Sequence, residues 1–108
     1  MDDNITKKVD SKANKILEKI ITNADTYLIF GLSTCGYCKK SLAFSKNNNL
    51  QFKYYEMDTY YEIFIPILDK LIKLEPSLKI NPTHRTFPII FYNKKFIGGY
   101  TELVNIIN

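Results

Sequence analysis

The sequence predicts a single α/β domain in which four strands form a mixed sheet flanked by helices. Three observations lead to this prediction. The chain has 108 residues, which is enough for one core but not for two. Short apolar runs alternate with segments of helical spacing, and no repeat, linker or low-complexity tail interrupts that alternation. Apolar residues make up 45% of the sequence, which excludes a disordered or fibrous chain.

The first half of the chain predicts a helix, a strand, a second helix and a second strand. Apolar residues recur at helical spacing in an amphipathic helix at about 6–22, and the apolar run 27–32 is typical of a buried strand. A helix over 36–46, with Leu42, Ala43 and Phe44 expected to contact the core, precedes a strand over 50–57. Two strands joined by a helical connection should lie parallel with a right-handed crossover.

The second half predicts one more helix, a hairpin and a final helix. Helical spacing runs from Asp58 to Leu74, and Pro66 means that the helix either begins near it or is kinked there. The segment 75–84 is expected to be a loop, because it contains two prolines. The runs 87–92 and 95–97 flank a two-residue turn, as in an antiparallel hairpin. The last helix spans 101–107, with its inner side formed by Leu103, Ile106 and Ile107.

The only two cysteines, Cys35 and Cys38, follow the first predicted strand and open the helix after it. Unpaired backbone N–H groups and the helix dipole stabilise an anion there, which favours the thiolate of Cys35 and thiol–disulfide chemistry. A structural disulfide would close too short a loop to stabilise by more than about 2 kcal/mol. A zinc site needs about four ligands, and His84 is the only histidine available.

Charge and hydropathy limit the partners and the location. The net charge of +4 is spread along the chain without an arginine-rich block, so we interpret it as a solvated surface and expect no nucleic-acid partner. No apolar run approaches the roughly 18 residues of a membrane helix, and the start lacks the apolar segment of a signal peptide. We therefore expect a cytoplasmic protein with no membrane association, in which thiols stay reduced.

Four local motifs, in the predicted order of elements, resemble the glutaredoxin family of the thioredoxin fold. The resemblance covers about 27–107 and implies one glutaredoxin-like domain over 1–108, with the helix at about 6–22 as an addition. The motifs are Cys35-Gly36-Tyr37-Cys38, Arg85-Thr86-Phe87-Pro88, Ile97-Gly98-Gly99 and Tyr100-Thr101-Glu102-Leu103.

The resemblance implies a glutathione-dependent thiol–disulfide oxidoreductase. Cys35 would be the nucleophile and Cys38 the resolving thiol, and a cis peptide bond would precede Pro88. The backbone of Phe87 would pair with glutathione as with a short strand, and the N–H groups of Tyr100 and Thr101 would bind a carboxylate. The glutathione-binding residues implied are Tyr37, Arg85, Thr86, Phe87, Pro88, Gly99, Tyr100 and Thr101.

Two positions depart from the family pattern. Leu32 stands where glutaredoxins usually have a lysine for a glutathione carboxylate, and Thr101 stands where an aspartate commonly reads the amino group. Arg85, Lys39 or Lys40 are the candidates to supply the missing charge. We interpret His84 as a loop histidine, not as a base. The pairs Tyr54-Tyr55 and Tyr60-Tyr61 are interpreted as packing and surface residues, whereas Tyr37 is expected to line the site.

Two alternatives remain open at this point. Gly36 after the first cysteine permits a two-iron two-sulfur cluster between two subunits, held by Cys35 of each and two glutathiones; no other metal site is expected. A thioredoxin-like reductant recycled by a flavoprotein is the second alternative. We expect a monomer, or a dimer if a cluster bridges it, with glutathione and disulfide-containing proteins as partners.

Overall fold

A computed structural model describes residues 3–108 of the chain. The two cores, the sheet and the strand–helix junction that carries the two cysteines all lie within this range. Its α-helices are α1 (Asp3–Thr22), α2 (Gly36–Asn47), α3 (Phe64–Leu74) and α4 (Tyr100–Ile107), its strands are β1 (Tyr27–Gly31), β2 (Phe52–Glu56), β3 (Ile89–Tyr92) and β4 (Lys95–Gly98), and short 3-10 turns span Asp58–Ile63 and Pro76–Leu78.

The strands form one mixed sheet in the order β2-β1-β3-β4. β1 and β2 are parallel, while β3 is antiparallel to both β1 and β4. The predicted four-stranded thioredoxin-type sheet, with its parallel pair and its hairpin, is therefore confirmed. β1 lies inside the sheet, which explains why four of its five residues are buried.

Each face of the sheet carries its own core, because successive side chains of a strand point to opposite faces. Leu28 and Phe30 belong to the larger core, which they share with α1 and α3. Ile29 belongs to the smaller core, together with Ile90 and Leu103. α1 packs on α3, so the N-terminal helix predicted at about 6–22 is present and begins three residues earlier.

The packing of α2 corrects only part of the sequence-based expectation, because Phe44 does pack against the smaller core. The buried residues of this helix are Cys38, Ser41 and Ser45, whereas Ala43 is exposed and Leu42 and Phe44 are only half-buried. Small side chains on the inner stripe let the helix backbone lie close to the sheet. Cys38 is thereby carried into the interior.

The region after β2 resolves the question raised by Pro66. A 3-10 turn precedes α3, and Pro66 is the third residue of the α-helix, where its missing N–H costs no intrahelical bond. The helix thus begins near Pro66 and is not a kinked continuation from Asp58. In the following loop Leu78 and Ile80 are buried, although the sequence suggested only a connection.

Two smaller features complete the fold. Ile106 is exposed and does not face inward as expected, whereas Leu103 is fully buried. α4 begins at Tyr100, one residue before the predicted start. None of the helices within residues 3–108 is both long enough and apolar enough to cross a membrane.

Candidate active site

Cys35 is the N-cap residue of α2, at the junction that follows β1. Its backbone is extended, with φ −80° and ψ 126°, and its sulfur accepts a hydrogen bond from the N–H of Cys38 at 3.2 Å. A sulfur here takes the place of the oxygen that usually satisfies an N-terminal N–H group. The side chain is half-buried, and its Sγ lies 3.7 Å from the carbonyl oxygen of Phe87. The predicted position of Cys35 at the helix start is confirmed.

Cys38 lies one turn into α2 and has no exposed surface. Its sulfur accepts a hydrogen bond from the N–H of Leu32 at 3.5 Å. Burial is the main reason why the pKa of the Cys38 thiol rises to about 11, because removal from water disfavours the thiolate. At neutral pH Cys38 is therefore a neutral thiol held beneath Cys35.

The loop between β1 and Cys35 is anchored by Asp58. Its carboxylate accepts one hydrogen bond from the N–H of Ser33 at 3.0 Å and a second from the Ser33 hydroxyl. These two bonds hold the pKa of Asp58 below its usual value. The loop that leads to Cys35 is thus tied to the start of the 3-10 turn that follows β2.

A first cleft opens on the side of α4. The peptide bond between Phe87 and Pro88 is cis, as the resemblance implied. The ring of Tyr37 lies 6.1 Å from that of Tyr100, and Nζ of Lys40 lies 5.1 Å from the Tyr37 ring centre. All the proposed glutathione-binding residues except Arg85 line this cleft, whose full lining is Tyr37, His84, Thr86, Phe87, Pro88, Gly99, Tyr100, Thr101 and Glu102.

The N-terminus of α4 closes this cleft. Glu102 accepts a hydrogen bond from the N–H of Gly99 at 2.7 Å and so caps the helix with its own carboxylate. Gly98 has φ +132°, and a Cβ there would lie 2.6 Å from Cγ of Glu102. Position 98 therefore needs glycine for both its conformation and its close approach to Glu102.

A second, more apolar cleft opens on the other side of Phe87. Its lining includes Cys35 itself. The ring of Phe87 stacks on Tyr61 and lies 4.6 Å from the ring of Phe64, so it forms the wall between the two clefts. Arg85 belongs to this side, and its guanidinium is paired with Asp69 at 2.9 Å. The second cleft is lined by Leu32, Cys35, Tyr61, Glu62, Phe64, Ile65, Arg85, Thr86 and Phe87.

The sequence did not indicate several residues of the site. His84 was interpreted as a loop histidine, and it lines the first cleft with Nε2 3.3 Å from the carbonyl oxygen of Pro88. Glu102 could have been found from its capping position three residues after Gly99. Tyr61 and Tyr54 were interpreted as packing or surface residues. Tyr61 lines the second cleft, and Tyr54 donates a hydrogen bond to the carbonyl of Leu32 at 2.9 Å.

Within residues 3–108, no group of three or more His, Cys, Asp or Glu side chains is placed to hold a metal ion. An iron–sulfur cluster between two subunits would use one cysteine from each chain, so that hypothesis stays a prediction.

Comparison with known proteins places the chain beside glutaredoxins. It is 36% identical over 95 residues to a probable glutaredoxin of Acanthamoeba polyphaga mimivirus, a match that covers 86% of this chain and 89% of that protein. It is 29% identical over 96 residues to the mitochondrial glutaredoxin-2 of Mus musculus, covering 89% of this chain and 55% of that protein. No protein-family model matches the chain.

Solved structures agree on the fold. A buckwheat glutaredoxin–glutathione complex superimposes with a TM-score of 0.66 at 18% identity, over 97% of this chain and 84% of that one. A wheat glutaredoxin gives a TM-score of 0.63 at 24% identity, over 92% of this chain and 81% of that one. At these identities the structures support the architecture, and the sequence relatives support the family.

Proposed function

The chain belongs to the glutaredoxin family, and on that premise we propose that it reduces glutathione mixed disulfides and protein disulfides with glutathione as the reductant. A glutaredoxin is a thiol oxidoreductase, and the finer proposal concerns its reductant and its substrates. The observation that carries it is the position of the Cys35 sulfur. This sulfur is partly exposed, accepts the N–H of Cys38 and lies 3.7 Å from the Phe87 carbonyl oxygen.

The proposed first step is an attack by the Cys35 thiolate on the glutathione sulfur of a mixed disulfide. A new Cys35–glutathione disulfide forms, the substrate–glutathione bond breaks, and the substrate leaves as a thiolate that takes up a proton. A second glutathione thiolate then attacks the glutathione bound to Cys35. Oxidised glutathione is released and the Cys35 thiolate is restored. In sum, one mixed disulfide and one glutathione give one substrate thiol and one glutathione disulfide.

The first cleft supports glutathione as the bound peptide. It lies beside the Phe87 backbone, which can pair with an extended peptide, and beside the N-terminus of α4, where N–H groups favour a carboxylate. We propose that Tyr37, Thr86, Phe87, Pro88, Gly99, Tyr100 and Thr101 contact glutathione there. Lys40 beside Tyr37 would supply positive charge on this side.

We propose that the second cleft binds the part of the mixed disulfide that is not glutathione, namely the substrate that leaves as a thiol. Leu32 is apolar where the family usually has lysine, and the Arg85 charge is shared with Asp69. Because Arg85 lies on this side of Phe87, we propose it as a cation for a glutathione carboxylate only where that carboxylate extends past Phe87 into the second cleft, and its ion pair with Asp69 weakens this contact. The partners proposed are glutathione and disulfide-containing proteins, in a reducing compartment such as the cytoplasm. The chain would act there as one glutaredoxin-like domain.

The test is glutathione-dependent reduction of a small glutathione mixed disulfide by the wild type, Cys35→Ser and Cys38→Ser. Cys35→Ser should have no activity, because the nucleophile is gone, whereas Cys38→Ser should keep part of it, because glutathione itself can resolve the mixed disulfide. Activity that needed thioredoxin reductase and not glutathione would overturn the proposal. Full activity of Cys35→Ser would overturn it as well.

A further inference from the structure

Beneath the cysteine pair, the hydroxyl of Tyr54 lies in a space left by a glycine. Tyr54 is on β2, opposite Ile29 of β1, and its side chain packs with the smaller core under α2. A Cβ added to Gly31 would lie 2.8 Å from Cζ of Tyr54 and 3.0 Å from Sγ of Cys38. The phenol and the buried sulfur therefore share the space above Gly31.

Two hydrogen bonds connect the groups around this space. The Tyr54 hydroxyl donates to the carbonyl of Leu32 at 2.9 Å, and the N–H of Leu32 donates to the Cys38 sulfur at 3.5 Å. A phenol has one proton to donate, and in this arrangement Tyr54 donates it to the Leu32 carbonyl. If Cys38 becomes a thiolate, the buried anion has one backbone donor at its sulfur and needs more.

We propose that Tyr54 stabilises the Cys38 thiolate during the intramolecular step, by turning its hydroxyl proton from the Leu32 carbonyl to the Cys38 sulfur. The turn is a rotation about the bond between the ring and the oxygen, and the phenol and the sulfur already meet in the space above Gly31. This inference rests on the proposed function for the step that it serves. It assigns to a strand residue outside the four motifs a part in the chemistry of the second cysteine.

The step balances in atoms and electrons. With a substrate bound to Cys35 as a mixed disulfide, the Cys38 thiolate attacks the Cys35 sulfur. The Cys35–Cys38 bond forms, the bond from Cys35 to the substrate sulfur breaks, and the substrate leaves as a thiolate. The proton that Cys38 loses is balanced by the proton that the substrate thiolate takes up to become a thiol. The two cysteines are oxidised to a disulfide, and the substrate disulfide is reduced.

The directions in which the pKa values of Cys38 and Tyr54 shift agree with this geometry. Burial raises the pKa of Cys38 to about 11, and the Tyr54 hydroxyl acts in the opposite direction on that thiol. Burial also raises the pKa of Tyr54 above its ordinary value, so the phenol keeps its proton through the neutral range. The other titratable groups that act on the pair are Cys35 of α2 and Glu56 of β2.

The experiment compares Tyr54→Phe with Tyr55→Phe, both made in Cys35→Ser protein so that Cys38 is the only thiol. Phenylalanine keeps the ring and removes only the hydroxyl. Tyr55 is the matched control, because it neighbours Tyr54 but stacks on Phe30 in the larger core. The measurement is the rate of Cys38 alkylation by iodoacetamide as a function of pH, which needs neither glutathione nor turnover.

Tyr54→Phe should slow Cys38 alkylation about tenfold to a hundredfold at neutral pH, the range expected for one lost hydrogen bond to an anion. The difference should disappear at pH values above the Cys38 pKa, because every variant is then a thiolate. Tyr55→Phe should give the same rate of Cys38 alkylation as the Cys35→Ser parent protein. A fluorinated tyrosine at position 54, which is a stronger donor, should speed alkylation, and it tests the proposal even if Tyr54→Phe does not fold.

Equal rates for Tyr54→Phe and its parent at neutral pH would overturn the proposal. So would a slower rate that persists unchanged at high pH, since that pattern reports altered access to Cys38. Either result would leave the mixed-disulfide assay of the wild type unaffected. Conversely, a glutathione-independent enzyme would still show the Tyr54 effect on alkylation, so the two failures are distinguishable.

Discussion

The two cysteines of the candidate active site lie three residues apart, one at the N-cap of α2 and the other inside that helix, yet their surroundings have little in common. Cys35 is partly exposed at the helix start, and its sulfur is met by an N–H of its own helix. Cys38 is fully buried, and its sulfur accepts a hydrogen bond from the N–H of Leu32, the residue directly after β1. The helix terminus thus sets the chemistry of the first cysteine, and the sheet beneath sets that of the second.

This difference fits the roles that we propose for the two sulfurs. A nucleophile must reach a substrate, which needs the partial exposure that Cys35 has. A resolving thiol must reach only Cys35 and should not react with other disulfides. Burial and a raised pKa meet that second requirement.

The largest expected effect concerns the reactivity of Cys38. In Cys35→Ser protein at neutral pH, Cys38 should be alkylated about tenfold to a hundredfold more slowly than a free cysteine, because burial raises its pKa from 9.0 toward about 11 and each pKa unit lowers the thiolate fraction tenfold. The rate should rise tenfold per pH unit and continue to rise above pH 9. Burial, the largest cause, remains in this variant. A profile that levels near pH 9, as for free cysteine, would remove the contrast between the two sulfurs.

The next effect concerns the space above Gly31. Gly31→Ala should destabilise the protein by about 1–3 kcal/mol, because the new methyl group meets Tyr54 Cζ at 2.8 Å and Cys38 Sγ at 3.0 Å. Denaturant unfolding measures the change.

Gly36→Ala is the matched control, since a Cβ there meets nothing within 4 Å and alanine favours the helix. It should be neutral or slightly stabilising. Equal losses in both variants would mean that the close packing under Cys38 is not what Gly31 serves.

A smaller effect is expected from restoring the family's usual cation beside Cys35. Leu32→Lys should lower the KM for glutathione about threefold, the scale of a partly exposed ion pair, while the Leu32 backbone bonds to Cys38 and Tyr54 remain. Steady-state kinetics at varied glutathione concentration measures this. Leu32→Met, which adds no charge, should leave KM unchanged, and an equal change in both variants would point to packing.

The smallest effect concerns Asp58, whose pKa is held below its usual value by two bonds from Ser33. The stability that it contributes is present above the ordinary carboxyl pKa of 3.8 and is lost as pH falls through the lower folded value. Asp58→Asn should therefore lower the unfolding midpoint slightly at pH 7 and not at pH 2. Glu18→Gln on the exposed face of α1 should change neither, and a difference that is independent of pH would contradict the assigned cause.

The sequence was informative where a local pattern determines the structure. An apolar run followed by Cys35, Gly36, Tyr37 and Cys38 predicts the strand–helix junction, because the period changes from two to helical spacing at that point. The resemblance supplied what spacing could not, such as the cis bond before Pro88. The prediction for α2 was only partly right: Phe44 packs against the smaller core, but apolar character also suggested Leu42 and Ala43, whereas the fully buried stripe consists of small residues.

What the sequence could not predict depends on contacts between distant segments. Nothing local distinguishes Tyr54 from Tyr55, and only the parallel register of β1 and β2 directs one to Cys38 and the other to Phe30. The burial of Leu78 in a loop likewise follows from where that loop packs. Such positions need the tertiary structure, since a strand shows only alternation.

The central claim is that the sulfur of Cys35 reacts with added reagents, whereas the sulfur of Cys38 is buried beneath it and does not. The most direct test is to treat the reduced wild-type protein at neutral pH with less than one equivalent of iodoacetamide and to map the modified peptide by mass spectrometry. The account predicts label on Cys35 and none on Cys38. Label on Cys38 equal to or greater than that on Cys35 would contradict it.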